Sequence, residues 1–109
     1  MKYTGKWIIA GSYNGEAVQD FELQFKKELP GIDYREVVKN DIELQQELEI
    51  SSSGEAVLDT KTEKLSGEIT TEDGMDILYL DGEKLPIKIV DNYLVFDIPD
   101  GYAFKKSEA

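Results

Sequence analysis

The sequence has no cysteine and no histidine. Their absence excludes disulfide bonds, thiol nucleophiles, imidazole acid–base catalysis and the zinc sites that these side chains form. Apolar runs are also short: residues 77–80 form a strand-sized stretch, whereas crossing a bilayer takes about 20 apolar residues. Residues 1–4 lack the apolar stretch of a signal peptide. We expect no membrane insertion, and a cysteine-free chain fits either redox compartment.

Basic residues are also few. The chain has 12 lysines and arginines and 23 acidic residues, which gives a net charge of −11. This charge repels nucleic-acid phosphates and anionic lipid, which disfavours nucleic-acid binding, so we expect no nucleic-acid partner. The acidic residues are spread along the chain, a distribution typical of a soluble surface. A length of 109 residues predicts one domain over residues 1–109.

Sequence motifs for catalysis and for cofactor binding are also absent. No phosphate-binding loop or dinucleotide-binding glycine motif occurs, and serines have no histidine partner. Asp-Gly pairs at residues 73–74 and 81–82 do not match calcium-loop spacing and are typical of tight turns. With so many acidic residues, carboxylate pairs suited to sugar hydrolysis arise by chance. We therefore assign no catalytic, cofactor or metal-binding residue and expect no enzyme.

What the chain does have is a period-two apolar pattern broken by turn residues about every ten positions. This spacing predicts strands joined by hairpins, which makes sequential neighbours antiparallel. Eight short strands are predicted, at residues 6–13, 42–50, 55–61, 64–71, 75–80, 85–90, 93–98 and 102–106.

The connection between the first two strands has a different period. Apolar residues recur there at every fourth position: Phe21, Phe25 and Leu29. This spacing favours a helix. Leu23 alternates with two of them, so a strand over residues 18–29 stays open as the alternative. Pro30 ends the segment, and a capping box that begins at Asp33 predicts a second helix over residues 34–39.

Both terminal strands are apolar, with Trp7 in the first and Phe104 in the last. A barrel pairs its last strand with its first and so leaves no exposed edge. A two-sheet sandwich is the alternative, but it needs several long crossings, and only one long connection exists here. The predicted fold is mainly β: an antiparallel up-and-down β-barrel of about eight short strands, with a helical segment between strands 1 and 2.

Gly5-Lys6-Trp7 resembles the G-x-W signature of the lipocalin and fatty-acid-binding (calycin) superfamily. The resemblance implies that Trp7 plugs the closed end of the barrel. It extends to small lipocalin-like domains of bacterial secreted and surface proteins, which favours an extracytoplasmic location. An arginine often packs across this Trp in the superfamily; the only arginine here is Arg35, in the helical segment, so Lys105 or Lys106 is expected in that place.

A ligand cavity would lie inside the barrel, among residues that alternate toward the interior. The predicted inward-facing residues are Trp7, Ile9, Leu44, Gln46, Leu48, Leu58, Leu65, Ile69, Ile77, Tyr79, Leu85, Ile87, Ile89, Leu94, Phe96, Ile98 and Phe104. Gln46 interrupts this apolar set, so it either orients a ligand or bonds to a neighbouring strand or buried water. Tyr13 and Tyr79 are candidates for an open end, and Gly11 and Gly67 either leave room for a cavity or mark bends.

Two functions fit these predictions. Short strands and bulky inward residues favour a filled barrel, which would serve as an interaction or structural module of a bacterial, secreted or surface protein. The alternative is a carrier for a small hydrophobic ligand, lidded by the helical segment with Phe21 and Phe25. The partner is accordingly a protein or a small ligand, and interior volume separates the two functions.

Overall fold

The computed structural model describes residues 1–107. In this range the elements are β1 (Gly5–Tyr13), β2 (Val18–Asp20), α1 (Phe21–Glu28), α2 (Tyr34–Lys39), a 3₁₀ helix (Ile42–Gln45), β3 (Glu47–Ile50), β4 (Glu55–Asp59), β5 (Lys64–Glu72), β6 (Met75–Leu80), β7 (Glu83–Val90), β8 (Tyr93–Phe96) and β9 (Gly101–Lys106). No helix in this range has the length and apolar character needed to span a membrane.

The sheet closes on itself. Strands β1 and β3 to β9 pair in sequence order, all antiparallel, and β9 then pairs with β1, bringing Ile9 opposite Phe104. The prediction of a closed eight-stranded antiparallel barrel is confirmed. Strand β2 is an addition: it pairs with the second half of β1 at Gly11 and Asp20, while β3 pairs with the first half.

The helical segment follows β2 directly. Asp20 ends this strand, and its side chain accepts a hydrogen bond of 3.1 Å from the Leu23 backbone N–H. This cap satisfies one of the free donors at the start of α1. The segment left open as helix or strand therefore contains both, a three-residue strand and then a helix. The predicted second helix is confirmed as α2, with Asp33 capping the Arg35 N–H at 3.0 Å.

The predicted strand over residues 42–50 is wrong in its first half, which forms the 3₁₀ helix. The Asp41 side chain accepts from the Glu43 N–H at 3.1 Å, and the Gln45 amide donates to the Val38 carbonyl at 2.8 Å. These local side-chain bonds to the backbone outcompete the strand that the alternating pattern favours. Leu44, predicted to face inward, instead lines a cleft beside the helices.

The barrel is densely packed around Trp7. The indole is 3% exposed, and its Nε1 donates to the Tyr3 carbonyl at 2.8 Å. Of the two lysines expected to lie across it, Lys106 does so, with its Nζ 5.2 Å from the ring centroid. Deeper in, Phe104 is fully buried and its ring lies 5.2 Å from that of Phe96. Large side chains therefore fill the end of the barrel at which β1 begins.

Strand β6 faces the opposite way from the prediction. Leu78 and Leu80 belong to the barrel core, so Tyr79 lies on the outer wall, directly opposite Glu68 of β5. The inward assignment of Ile77 and Tyr79 is wrong by one residue. All four positions from 77 to 80 are apolar or aromatic, so the pattern gives no preference for one face.

Gly11 and Gly67 make room for backbone, not for a ligand. A Cβ at Gly67 would lie 1.5 Å from the Tyr79 carbonyl oxygen, and one at Gly11 would lie 2.1 Å from the Gln19 carbonyl oxygen. Each glycine thus lets a neighbouring strand pass closer than any side chain would permit.

A hydrogen bond to a carboxylate connects the start of the helical segment to the barrel wall. The Tyr93 hydroxyl of β8 donates to Asp20 Oδ2 at 2.5 Å. This bond favours the neutral phenol and raises the pKa of Tyr93 to about 12. Since the folded pKa exceeds the unfolded value, the bond stabilises the fold fully below pH 10 and loses its effect as the pH rises toward about 12.

We expect Tyr93→Phe to reduce the alkaline loss of stability across this window, because the variant lacks this phenol, while Tyr34 and Tyr79, whose pKa values are also raised, keep their contribution. Urea unfolding at several alkaline pH values, followed by circular dichroism, measures the slope. Tyr102→Phe is the matched control: this residue is 38% exposed and is expected to keep the slope of the unmodified chain. An unchanged slope in Tyr93→Phe would contradict the role given to the bond with Asp20.

Candidate functional site: the mouth of the barrel

Successive hairpins of the barrel turn at opposite ends, because each antiparallel strand reverses the direction of the previous one. The turns at residues 60–63, 81–82 and 97–100 therefore share one end. We call this end the mouth. It lies opposite the end that Trp7 fills.

The mouth opens into a cavity of about 430 Å³. Six apolar side chains form its wall: Leu58, Leu65, Leu80, Leu85, Phe96 and Ile98. The same residues belong to the packed core or lie against it, so the cavity sits directly above the filled half of the barrel. Its volume falls within the range of about 300–1,000 Å³ that small-molecule pockets occupy.

Carboxylates surround the opening. They come from each of the three turns or from the residues beside them: Glu63, Asp81, Glu83 and Asp100. Two of these positions have positive φ, 49° at Asp81 and 55° at Asp100, a conformation that aspartate tolerates better than most residues. Turn chemistry thus accounts for part of the acidic rim.

No lysine or arginine is among the described residues that line the mouth. Two lysines near the mouth pair with carboxylates outside it: the Lys61 Nζ lies 3.7 Å from both Glu47 and Asp59, and the Lys88 Nζ lies 3.5 Å from Asp97. None of the rim carboxylates forms an ion pair within residues 1–107. The rim therefore presents four carboxylates that have no ion-pair partner within residues 1–107.

A second, smaller cleft of about 270 Å³ lies outside the barrel wall, between β1 and the helices. Ile8, Tyr34 and Val38 contribute to its apolar surface. Its charged groups are paired: Lys105 lies 3.5 Å from Glu22, and the Arg35 guanidinium lies 3.2 Å from the Asp33 carboxylate. Unlike the mouth, this cleft presents no uncompensated set of like charges.

The candidate residues chosen from the sequence lie away from the mouth. Gln46 is 7% exposed, and its Nε2 donates to the Glu43 carbonyl at 3.2 Å, which satisfies it within its own turn. Tyr13 is buried on the outer wall, in a cluster with Val95 and Ala103. Neither side chain contributes to the mouth cavity.

The three remaining candidates are also elsewhere. Tyr79 donates its hydroxyl proton to Glu72 on the outer wall. Phe21 packs against the barrel core, and the Phe25 ring lies 5.8 Å from the Tyr34 ring between the two helices. The helical segment contributes no residue to the lining of the mouth, so it does not lid this cavity.

The polar groups of the mouth sit at its opening and the apolar groups lie below. All buried side-chain nitrogen and oxygen atoms in the described range have hydrogen-bond partners. No group of three or more acidic residues there has the geometry of a metal site. The arrangement offers apolar contact in the interior and negative charge at the entrance.

These features define a closed antiparallel barrel with one packed end and one hollow, acid-rimmed mouth. Comparisons of the chain with protein-family models, with curated proteins and with solved structures find no match. Its function is therefore argued from the geometry of the mouth.

Proposed function

We propose that this chain is a non-enzymatic binding domain that takes one small apolar ligand into the mouth of the barrel. The observation that carries the proposal is the cavity of about 430 Å³ with six apolar wall residues. Apolar surface that leaves water for such a wall gains roughly 25 cal/mol per Å². The cavity thus provides a driving force for binding without any specific polar contact.

The expected affinity is moderate. A ligand of about 20 non-hydrogen atoms that gains about 0.3 kcal/mol per atom binds with about 6 kcal/mol, which corresponds to a dissociation constant in the tens of micromolar. Titratable groups in the described lining are the rim carboxylates and the Tyr102 phenol, all on exposed residues. A reacting group inside the cavity would meet only apolar side chains, which supports binding as the function.

Filling the cavity tests the proposal. We expect Leu85→Trp to place an indole in the mouth and weaken binding of the neutral dye Nile red at least about tenfold, a loss of about 1.4 kcal/mol. Titration of dye fluorescence measures the affinity. Val57→Trp is the matched control, because Val57 is 38% exposed on the outer wall; it is expected to leave dye affinity unchanged. Circular dichroism establishes that both variants fold.

Two results would contradict the mouth as the ligand site. One is the absence of saturable dye binding by the unmodified chain. The other is dye binding that survives Leu85→Trp but disappears in Val38→Trp, which would place the ligand in the cleft beside the helices.

The interaction module is the second candidate function, and one surface favours it. The connection between β2 and β3 exposes large apolar side chains at Leu23, Leu29, Ile32 and Ile42. Exposed apolar groups of this size are typical of protein contacts when they are contiguous. Saturable uptake of one dye molecule per chain supports the binding domain, whereas its absence favours the module.

A further inference from the structure

We propose that the mouth selects amphiphiles with a cationic head group. The apolar body of the ligand lies in the cavity, and its ammonium group lies among Glu63, Asp81, Glu83 and Asp100. This inference rests on the proposed function and names the ligand class for the same cavity.

The first observation is the placement of the four carboxylates around the opening. Glu63 ends the β4–β5 turn, Asp81 lies in the β6–β7 turn with Glu83 directly after that turn, and Asp100 precedes β9. They therefore approach the cavity from three separate turns. All four line the same cavity as the apolar wall, so a ligand seated against that wall has its head group at their level.

The second observation is that three lysines near the mouth form ion pairs with carboxylates outside it. Lys61 is shared by Glu47 and Asp59, Lys88 pairs with Asp97, and Lys84 pairs with Glu72 at 2.9 Å. An ammonium group that enters the mouth meets carboxylates with no ion-pair partner in the described range. An entering carboxylate head group meets the same charges and no lysine or arginine among the lining residues.

The physical setting strengthens this discrimination. Interactions between charges become stronger as the effective dielectric constant falls. The apolar wall beneath the rim lowers the effective dielectric constant on the cavity side of the carboxylates. Clefts lined by one sign of charge also focus their field toward the opening. We therefore expect the sign of the head group to decide affinity among ligands that share the same tail.

Net charge alone is a competing explanation, because a chain of net charge −11 attracts every cation. The rim charges act at contact distance, whereas charges farther away are screened within about 8 Å at physiological salt. A variant that removes the same number of charges at the opposite end separates the two effects.

The experiment uses three ligands with one tail and different heads: decylamine, decanol and decanoate, each displacing Nile red at neutral pH. We expect decylamine to bind at least about tenfold more tightly than decanoate, with decanol between them; tenfold corresponds to about 1.4 kcal/mol. At about 0.5 M sodium chloride the ratio should shrink, since the Debye length falls toward about 4 Å.

Two variants with equal charge change locate the selectivity. The mouth variant combines Glu63→Gln, Asp81→Asn, Glu83→Gln and Asp100→Asn. The control variant carries its changes on β3, β4 and the turns of the opposite end: Glu49→Gln, Glu55→Gln, Asp73→Asn and Asp91→Asn. Each set includes two aspartates at positive φ, where asparagine is well tolerated. We expect the mouth variant alone to lose the preference, to within about twofold, and both variants to keep decanol binding.

The outcomes distinguish this inference from the proposed function. Equal affinity of the unmodified chain for decylamine and decanoate would overturn the cation selectivity, and so would an equal loss of preference in both variants. Binding of the dye without displacement by any decyl compound would overturn it too, while the binding function stands. If neither the dye nor any decyl compound binds, the proposed function fails and this inference fails with it.

Discussion

Trp7→Ala is expected to destabilise the fold by about 3–5 kcal/mol, the range typical of buried tryptophan truncations. The indole is 3% exposed in the packed end of the barrel. Its removal leaves a cavity that the surrounding strands cannot close, because closure of the barrel through the β1–β9 pairing fixes their spacing. It also removes the ring beneath Lys106 and the donor to the Tyr3 carbonyl. Urea unfolding followed by far-ultraviolet circular dichroism measures the change.

Two further variants test whether the loss of stability in Trp7→Ala comes from the buried indole. Trp7→Phe keeps much of the apolar volume but loses the hydrogen bond, so we expect an intermediate cost of about 1–3 kcal/mol. Tyr102→Ala removes an aromatic ring that is 38% exposed at the mouth, with an expected cost of less than about 1 kcal/mol. A cost below about 1 kcal/mol for Trp7→Ala would mean that the indole does not hold the closed end of the barrel.

Hairpin signals explain why the architecture was predictable from the sequence. Asp-Gly pairs and similar turn residues, spaced about ten residues apart, impose antiparallel neighbours. Both terminal strands contain apolar residues, such as Ile9 and Phe104, and these strands bury their edges when they pair with each other. In the structure these two residues are opposite each other in the β1–β9 pairing. Turn chemistry is local and edge burial is a general requirement of sheets, so both can be predicted without knowledge of side-chain packing.

Strand register and the 3₁₀ helix depend on choices that the pattern leaves undecided. Apolar residues on both faces of β6 let Tyr79 face either way, and pairing with its neighbours placed Leu78 and Leu80 inside. In the stretch that ends at Gln45, side-chain bonds to nearby backbone carbonyls and N–H groups compete with strand pairing. One of these bonds joins Gln45 to the Val38 carbonyl of α2, so it forms only when α2 is in place.

The candidate site was the least predictable part. Polar or aromatic residues within apolar strands suggest a ligand site in the sequence, but in the structure they form hydrogen bonds or pack within the fold. Gln46 bonds to its own turn, and Tyr13 packs on the outer wall. The end shared by the turns at residues 60–63 and 81–82 follows from hairpin alternation alone. The depth of the cavity does not, because it depends on how closely the strands coil around the interior.

The closed end of the barrel contributes mainly to stability, and we expect the mouth to contribute mainly to binding. Trp7 and Phe104 fill the closed end and middle, while the mouth leaves leucine side chains of β4 to β7 facing an opening. Mutations at the rim should therefore change ligand preference with little effect on folding, since exposed substitutions usually stay within about 0.5 kcal/mol. The close pairing of β5 with β6 at Gly67, which lies opposite Leu80, affects both stability and the cavity.

Gly67→Ala is expected to destabilise the fold by about 3 kcal/mol or more, since overpacking against rigid groups exceeds the usual cost. The new Cβ would lie 1.5 Å from the Tyr79 carbonyl oxygen and 3.1 Å from the Leu80 Cα. Both contacts are with backbone, so no side-chain rotation relieves them, and β5 must move away from β6. Urea unfolding measures the cost.

Gly74→Ala separates crowding from glycine's backbone freedom. A Cβ at Gly74 meets open space, but the residue has a φ of 79°, so this variant carries strain alone, with an expected cost of about 1–2 kcal/mol. Equal costs for both variants would contradict the close approach of β5 and β6 at Gly67. Because Leu80 lies opposite Gly67, Leu65 lies two residues before it on β5, and both leucines line the mouth, a folded Gly67→Ala chain should also bind Nile red more weakly. Gly74→Ala, at the opposite end, should not, and that difference would tie the shape of the cavity to the absence of one side chain.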